Sequence, residues 1–81
     1  MKPETKSWLK RAERDLKTAG NSLKSKDYYA SSFWCQQAIE KGLKALLIEK
    51  TGKFPKIHDI LKLSKLNNSP ERIQEFCAIV N

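Results

Sequence analysis

Residues 27–52, DYYASSFWCQQAIEKGLKALLIEKTG, decide the fold, because they read as one long helix that carries most of the large apolar side chains. At about 100° per residue, Trp34, Cys35, Ala38, Ile39, Gly42, Leu43, Ala45 and Leu46 fall on one broad face, wide enough to be a core surface. Asp27 can cap the helix by accepting a hydrogen bond from a free backbone N–H. Gly52 can end it in the left-handed conformation. The opposite face is unusual for a solvated one. Ala30, Phe33, Gln37, Glu40, Lys44 and Leu47 recur at spacings of three and four, with polar groups between apolar ends. Water alone requires neither Phe33 nor Leu47 there, so this second stripe is expected to meet another chain.

Working outward, Pro3 suits the first turn of a preceding helix and Glu4 the positive end of its dipole. Leu9, Ala12, Leu16, Ala19 and Leu23 give that helix a narrow apolar seam, widened at one end by Trp8. Gly20 and Asn21 weaken it, yet Leu23 keeps the phase, so it is expected to run to about Ser25. The very short connection to Asp27 forces the first two helices into an antiparallel hairpin. Past Gly52, Lys53 to Ile57 form a loop around Pro55. His58-Asp59 introduce a short amphipathic helix with Ile57, Ile60, Leu61, Leu63 and Leu66 as its apolar set. Asn67-Asn68 stop it. Ser69-Pro70-Glu71 then signal a last helix, with Ser69 as cap and Ile73, Phe76, Cys77 and Val80 as the apolar positions. No strand alternation or internal repeat occurs. The expected fold is all-α, an up-and-down antiparallel four-helix bundle of two long and two short helices in a single domain, residues 1–81. The last helix is too short to accompany the second along its roughly 36 Å, so the Gly52 half of the second helix is expected to be exposed in an isolated protomer.

Eighty-one residues make one small, marginally stable domain. The formal charge of +7 is concentrated in residues 1–26, where eight Lys or Arg oppose three acids, while residues 27–52 are neutral and residues 53–81 hold five against three. A basic surface favours phosphate-bearing or acidic partners. The plain alternative is that Lys2, Lys6, Lys10, Lys17 and Lys24 only solvate an exposed face. Cys35 and Cys77 sit on apolar helical faces with no secretory signal ahead of them, which points to free thiols and a reducing, cytoplasmic compartment. With one histidine and no paired-ligand spacing, neither a metal site nor a cofactor is expected. No apolar run, Ala45 to Ile48 included, comes near the roughly 20 residues of a membrane span.

Taken together, several of these residues resemble a known family. Trp8, Ala12, Asp15-Leu16 and Ala19, then Tyr29-Ala30, Phe33, Gln37-Ala38, Glu40-Lys41 and Lys44 to Leu47, followed by Ile57 to Ile60 after a Gly-and-Pro loop, look like the HEPN domain of bacteria and archaea. The resemblance implies a helical bundle that forms homodimers, a minimal nucleotidyltransferase partner in a toxin–antitoxin-like pair, and nucleotide or RNA as the ligand class. Many members are RNA-cleaving toxins that use an Arg and a His four to six residues apart. This chain departs from that pattern. Its one histidine is His58, residues 51–54 read Thr51, Gly52, Lys53, Phe54, and a lysine lacks the planar fork that grips phosphate twice. The family's C-terminal part is absent from these residues.

The leading expectation is therefore a non-catalytic, nucleotide-binding interaction module. An RNA-cleaving toxin with its motif beyond residue 81, and a small basic nucleic-acid-binding protein, are the alternatives. Lys41, Lys44 and His58 are the candidate phosphate contacts. Ala30, Phe33, Gln37, Glu40, Lys44 and Leu47 are the candidate dimer or partner interface, though Gln37, Glu40 and Lys44 could instead bind a nucleotide. Asp15 should form a structural ion pair with Lys41 or Lys44, because a half-buried acid needs a partner. His58 reads first as a helix-start residue satisfied by backbone. Trp8 and Trp34 belong in the core, and Tyr28 and Tyr29 could stack a base if their corner is exposed.

Overall fold

Residues with the right backbone freedom stand at each helix end. After Lys24 the chain closes a Schellman turn, in which the Asp27 N–H donates to the Ser22 carbonyl at 2.9 Å and the Lys26 N–H to the Leu23 carbonyl at 3.0 Å. This puts Lys26 in the left-handed region at φ 63°. Asp27 then caps the next helix by accepting from the Ala30 N–H at 3.1 Å. Gly52, at φ 72°, ends that helix with its N–H on the Ile48 carbonyl. Asp59 accepts from the N–H groups of Leu61 and Lys62, and a second Schellman turn places Asn68 at φ 53°.

The computed structural model describes residues 1–80, the side chains of Phe76 and Val80 excepted. Its helices are α1 (Pro3–Lys24), α2 (Tyr28–Thr51), α3 (Ile60–Leu66) and α4 (Glu71–Val80), with no strand among the described residues. The all-helical class and the pattern of two long and two short helices agree with the expectation. The last helix starts one residue later than the Ser-Pro signal suggests. The Pro70 carbonyl accepts from the N–H groups of Ile73 and Gln74, which makes Pro70 the half-in residue.

α1 and α2 run antiparallel. Lys2 and Thr5 reach Glu49, whereas Asp15 pairs with Lys41. The small residues Ala19 and Ala45 are buried, at 2% and 0% exposure, which lets α1 and α2 approach closely. The principal apolar core sits on another side of α2, where Leu43 and Leu47 meet Ile60 and Leu63 of α3 and Cys77 of α4, flanked by Ile39, Ile57 and Leu61. Asn67 ties this layer to α2, donating its side-chain amide N–H groups to the carbonyls of Leu43 at 3.1 Å and Leu63 at 2.9 Å while its backbone carbonyl accepts from the Lys50 ammonium. Cys35 and Cys77 are free thiols.

Two expectations about α2 need correcting. Its Gly52 half is not exposed: Leu43, Lys44, Ala45, Leu47 and Ile48 are all buried. The loop after Gly52 is short, so α3 and α4 fold straight back onto the end of α2 they leave. The bare half is the other one, where Tyr29 is 86% and Phe33 45% exposed. Leu46, expected in the core, is 48% exposed, and Leu16 and Leu23 of the α1 seam are also exposed. The side chains of Phe76 and Val80, expected in the α4 apolar set, lie outside those the structure describes.

Candidate functional site

Arg11, Arg14 and Thr18 follow one another at spacings of three and four, so they share one flank of α1 beside the buried Asp15. Trp34 and Lys41 of α2 complete a cleft of about 480 Å³ with these four residues. The Lys41 ammonium donates to the Asp15 carboxylate, whose side chain is 8% exposed. That pair fixes the register of the two helices, and Arg11 and Arg14, which have no ion pair among the described residues, are the cleft's other cations. Both are exposed at the surface. Arg11 also lies over the Trp8 ring, 4.9 Å from its centroid. Two guanidinium groups beside an indole wall suit an anion attached to a flat ring, because the guanidinium fork matches phosphate oxygens and the indole face can stack.

Further along α2, Lys44 is enclosed to 2% exposure. Trp8 and Phe54, with ring centroids 5.1 Å apart, lie against its ammonium at 5.6 and 5.9 Å. Glu40, one turn back, accepts from it at 3.2 Å, and His58 Nδ1 lies 3.3 Å from the same carboxylate oxygen. A buried ammonium is tolerable because a carboxylate and two aromatic faces take the place of water. This assembly joins α1, α2 and the loop after Gly52. At the far end, the Glu49 carboxylate accepts from the Lys2 backbone N–H at 2.9 Å and the Thr5 hydroxyl at 3.0 Å. The Lys2 N–H first, then the Thr5 hydroxyl, hold it below its ordinary pKa against the opposing effect of burial, with the charges of Lys2 and the N-terminus assisting.

The other flank of the hairpin is apolar. Leu9, Ala12, Leu16, Cys35, Ala38 and Ile39 line a groove of about 360 Å³, with Glu13 at its edge. Among the described residues no cluster of His, Cys, Asp or Glu could hold a metal ion, and no helix is long and apolar enough to cross a membrane.

Compared with protein-family models, residues 5–81 match the HEPN domain. The chain belongs to the HEPN domain family. No curated protein and no solved structure matches it.

Within this HEPN domain, the residues singled out in the sequence do not form one site. Of the three candidate phosphate contacts, Lys41 lines the basic cleft, Lys44 is buried beneath Trp8 and Phe54, and the His58 side chain is 83% exposed on the far side of Glu40. Lys44, expected at a ligand or partner surface, is thus enclosed within the protomer. The partner of His58 is the Glu40 carboxylate, where a backbone partner was expected. Of the candidate interface stripe, Lys44 and Leu47 are buried within the protomer. Ala30, Gln37 and Glu40 are half-buried and Phe33 is exposed. Asp15 has its ion pair with Lys41, one of the two lysines the sequence offered. Sequence reasoning passed over Arg11 and Arg14. The signal was available, since they share a helical flank with Asp15 and Thr18, but it is hidden in the general basicity of residues 1–26.

Proposed function

We propose that this HEPN domain is a non-catalytic interaction module that holds a phosphate-bearing ligand, a nucleotide or RNA, in the cleft between α1 and α2. The observation that carries this reading is the pair Arg11 and Arg14 beside Trp34, left in cationic excess once Lys41 is matched to Asp15. The lysines Lys6, Lys10, Lys17 and Lys24 lie on the side of α1 opposite the buried Thr5, Asp15 and Ala19, which suits solvation and general attraction rather than a defined site. The same reading includes homodimerisation and pairing with a minimal nucleotidyltransferase in a toxin–antitoxin-like system. The apolar groove around Leu16 supports a second copy there, since a small domain with a bare apolar flank gains most by covering it. In that arrangement the helices run up and down as an antiparallel bundle closed by the partner copy. Calorimetric titration with ATP tests the cleft. Arg11→Ala combined with Arg14→Ala should weaken binding by about tenfold or more, from the loss of charge-assisted hydrogen bonds. Equal affinities for the variant and the natural sequence would refute the assignment.

A further inference from the structure

The bare end of α2 bears directly on the cleft. Tyr29 and Phe33 are one turn apart on one face of α2 and, with Tyr28 at 64%, are large side chains left uncovered there, at 86% and 45% exposure. The Phe33 ring meets Trp34 edge-on, with centroids 5.2 Å apart and planes at 85°. Trp34 is in turn a wall of the cleft that holds Arg11 and Arg14. An aromatic track therefore leads from the exposed N-terminal half of α2 into a cationic groove. The carboxylate further along the stripe, Glu40, is matched by the Lys44 ammonium at 3.2 Å and offers little repulsion to an approaching anion.

Exposed aromatics leading to guanidinium groups are the combination that binds a nucleic-acid strand without base pairing. Bases stack on the rings because each has a π-face, and the cations follow the backbone. Spacing separates a single strand from a duplex. Residues four apart on a helix are about 6 Å apart along its axis, whereas neighbouring bases in a duplex strand rise only about 3.4 Å. Splayed bases of a single strand fit two such platforms, and stacked, paired bases do not.

We infer that a single-stranded nucleic-acid segment lies across α2 with bases stacked on Tyr29 and Phe33 and phosphates held by Arg11 and Arg14. This rests on the cleft reading above and extends it, since it makes the ligand a strand of several nucleotides and the mononucleotide only its end. A protein surface covering the same rings is the competing occupant. The cationic groove continuous with the track favours the polyanion.

The test compares AMP with a fluorescein-labelled hexaadenylate RNA, by direct titration and by competition, on the natural protein and on Tyr29→Ala with Phe33→Ala. Both side chains are substantially exposed, so the variant should fold, which far-ultraviolet circular dichroism checks. The hexamer should bind at least about twentyfold tighter than AMP, from two stacking contacts of roughly fivefold each. The double variant should lose that gain and keep its AMP affinity. A hexamer no tighter than AMP, or a gain that survives the double substitution, overturns the inference and leaves the cleft standing. Failure of both AMP and hexamer to bind the natural protein overturns the cleft reading and this one together. Should the double variant change the sedimentation of the protein while hexamer affinity holds, the track is a protein interface and the inference falls. The matching deoxy hexamer should retain the length-dependent gain, because stacking uses the base face; its complete loss there would likewise count against stacking.

Discussion

The two flanks of the α1–α2 hairpin come from the same pair of helices, yet they do different physical work. On the basic flank, Asp15 and Lys41 meet across the helices, and Lys44 is locked among Glu40, Trp8 and Phe54. Charged groups taken out of water tolerate little displacement, so these contacts set how α1 lies on α2. On the apolar flank, Leu9, Leu16 and Ile39 line an open groove together with Ala12, Cys35 and Ala38. Apolar contact is proportional to area and indifferent to small shifts. Register is set on one side of this hairpin, while the surface left wanting cover is on the other.

Removing one half of the buried pair should have the largest effect on this contrast. Lys41→Met leaves the Asp15 carboxylate nearly enclosed and uncompensated, which should cost about 2–3 kcal/mol in urea unfolding. Adding Asp15→Leu should recover most of that loss. If the single substitution costs nothing, the basic flank does not set register. An intermediate effect is expected on the opposite side. Leu16 is 59% exposed, so Leu16→Glu should change protomer stability by less than about 1 kcal/mol. It should nonetheless shift sedimentation toward monomer if a second copy covers the groove. Unchanged sedimentation of an associating protein would move the dimer contact elsewhere.

The smallest effect concerns the Glu49 tie between the ends of the hairpin. Its pKa is lower in the folded protein than its ordinary value, chiefly through the Lys2 N–H. The resulting stability is complete above the unfolded pKa and fades as pH falls through the folded one, so the loss should set in as pH drops below the ordinary value of 4.5. Glu49→Gln should flatten that part of the thermal-stability profile by a small amount. An identical acid limb in both proteins would show that the Lys2 and Thr5 contacts do not hold in solution.

Local chemistry made most of the fold legible. Asp27 and Gly52 bracket α2 in the structure as in the sequence, and Asn67-Asn68 end α3, because caps and left-handed turns depend on residues within one helical turn. Asp15 announced its need for a cation for a similar reason, since an acid beside an apolar seam has few ways to stay charged. The site was less legible. The spacing of Lys44 and Leu47 with Phe33 is a genuine stripe, but a helical wheel cannot say which stretch of it another element will cover. Leu47 passes under α3 and α4, Lys44 is closed off by Trp8 and Phe54, and Phe33 stays bare.

The sequence by itself therefore determined the helices, their ends, the antiparallel hairpin and the HEPN family, all of which follow from neighbours within a few residues or from the order of such patterns. Only the tertiary structure decided which half of α2 is covered, which lysine faces outward, and that Arg11 and Arg14 share a cleft with Trp34. Those outcomes depend on where short helices land when a loop of a few residues turns them back, and on which side chains then exclude water from one another. A linear pattern carries no information about either until the chain has closed on itself.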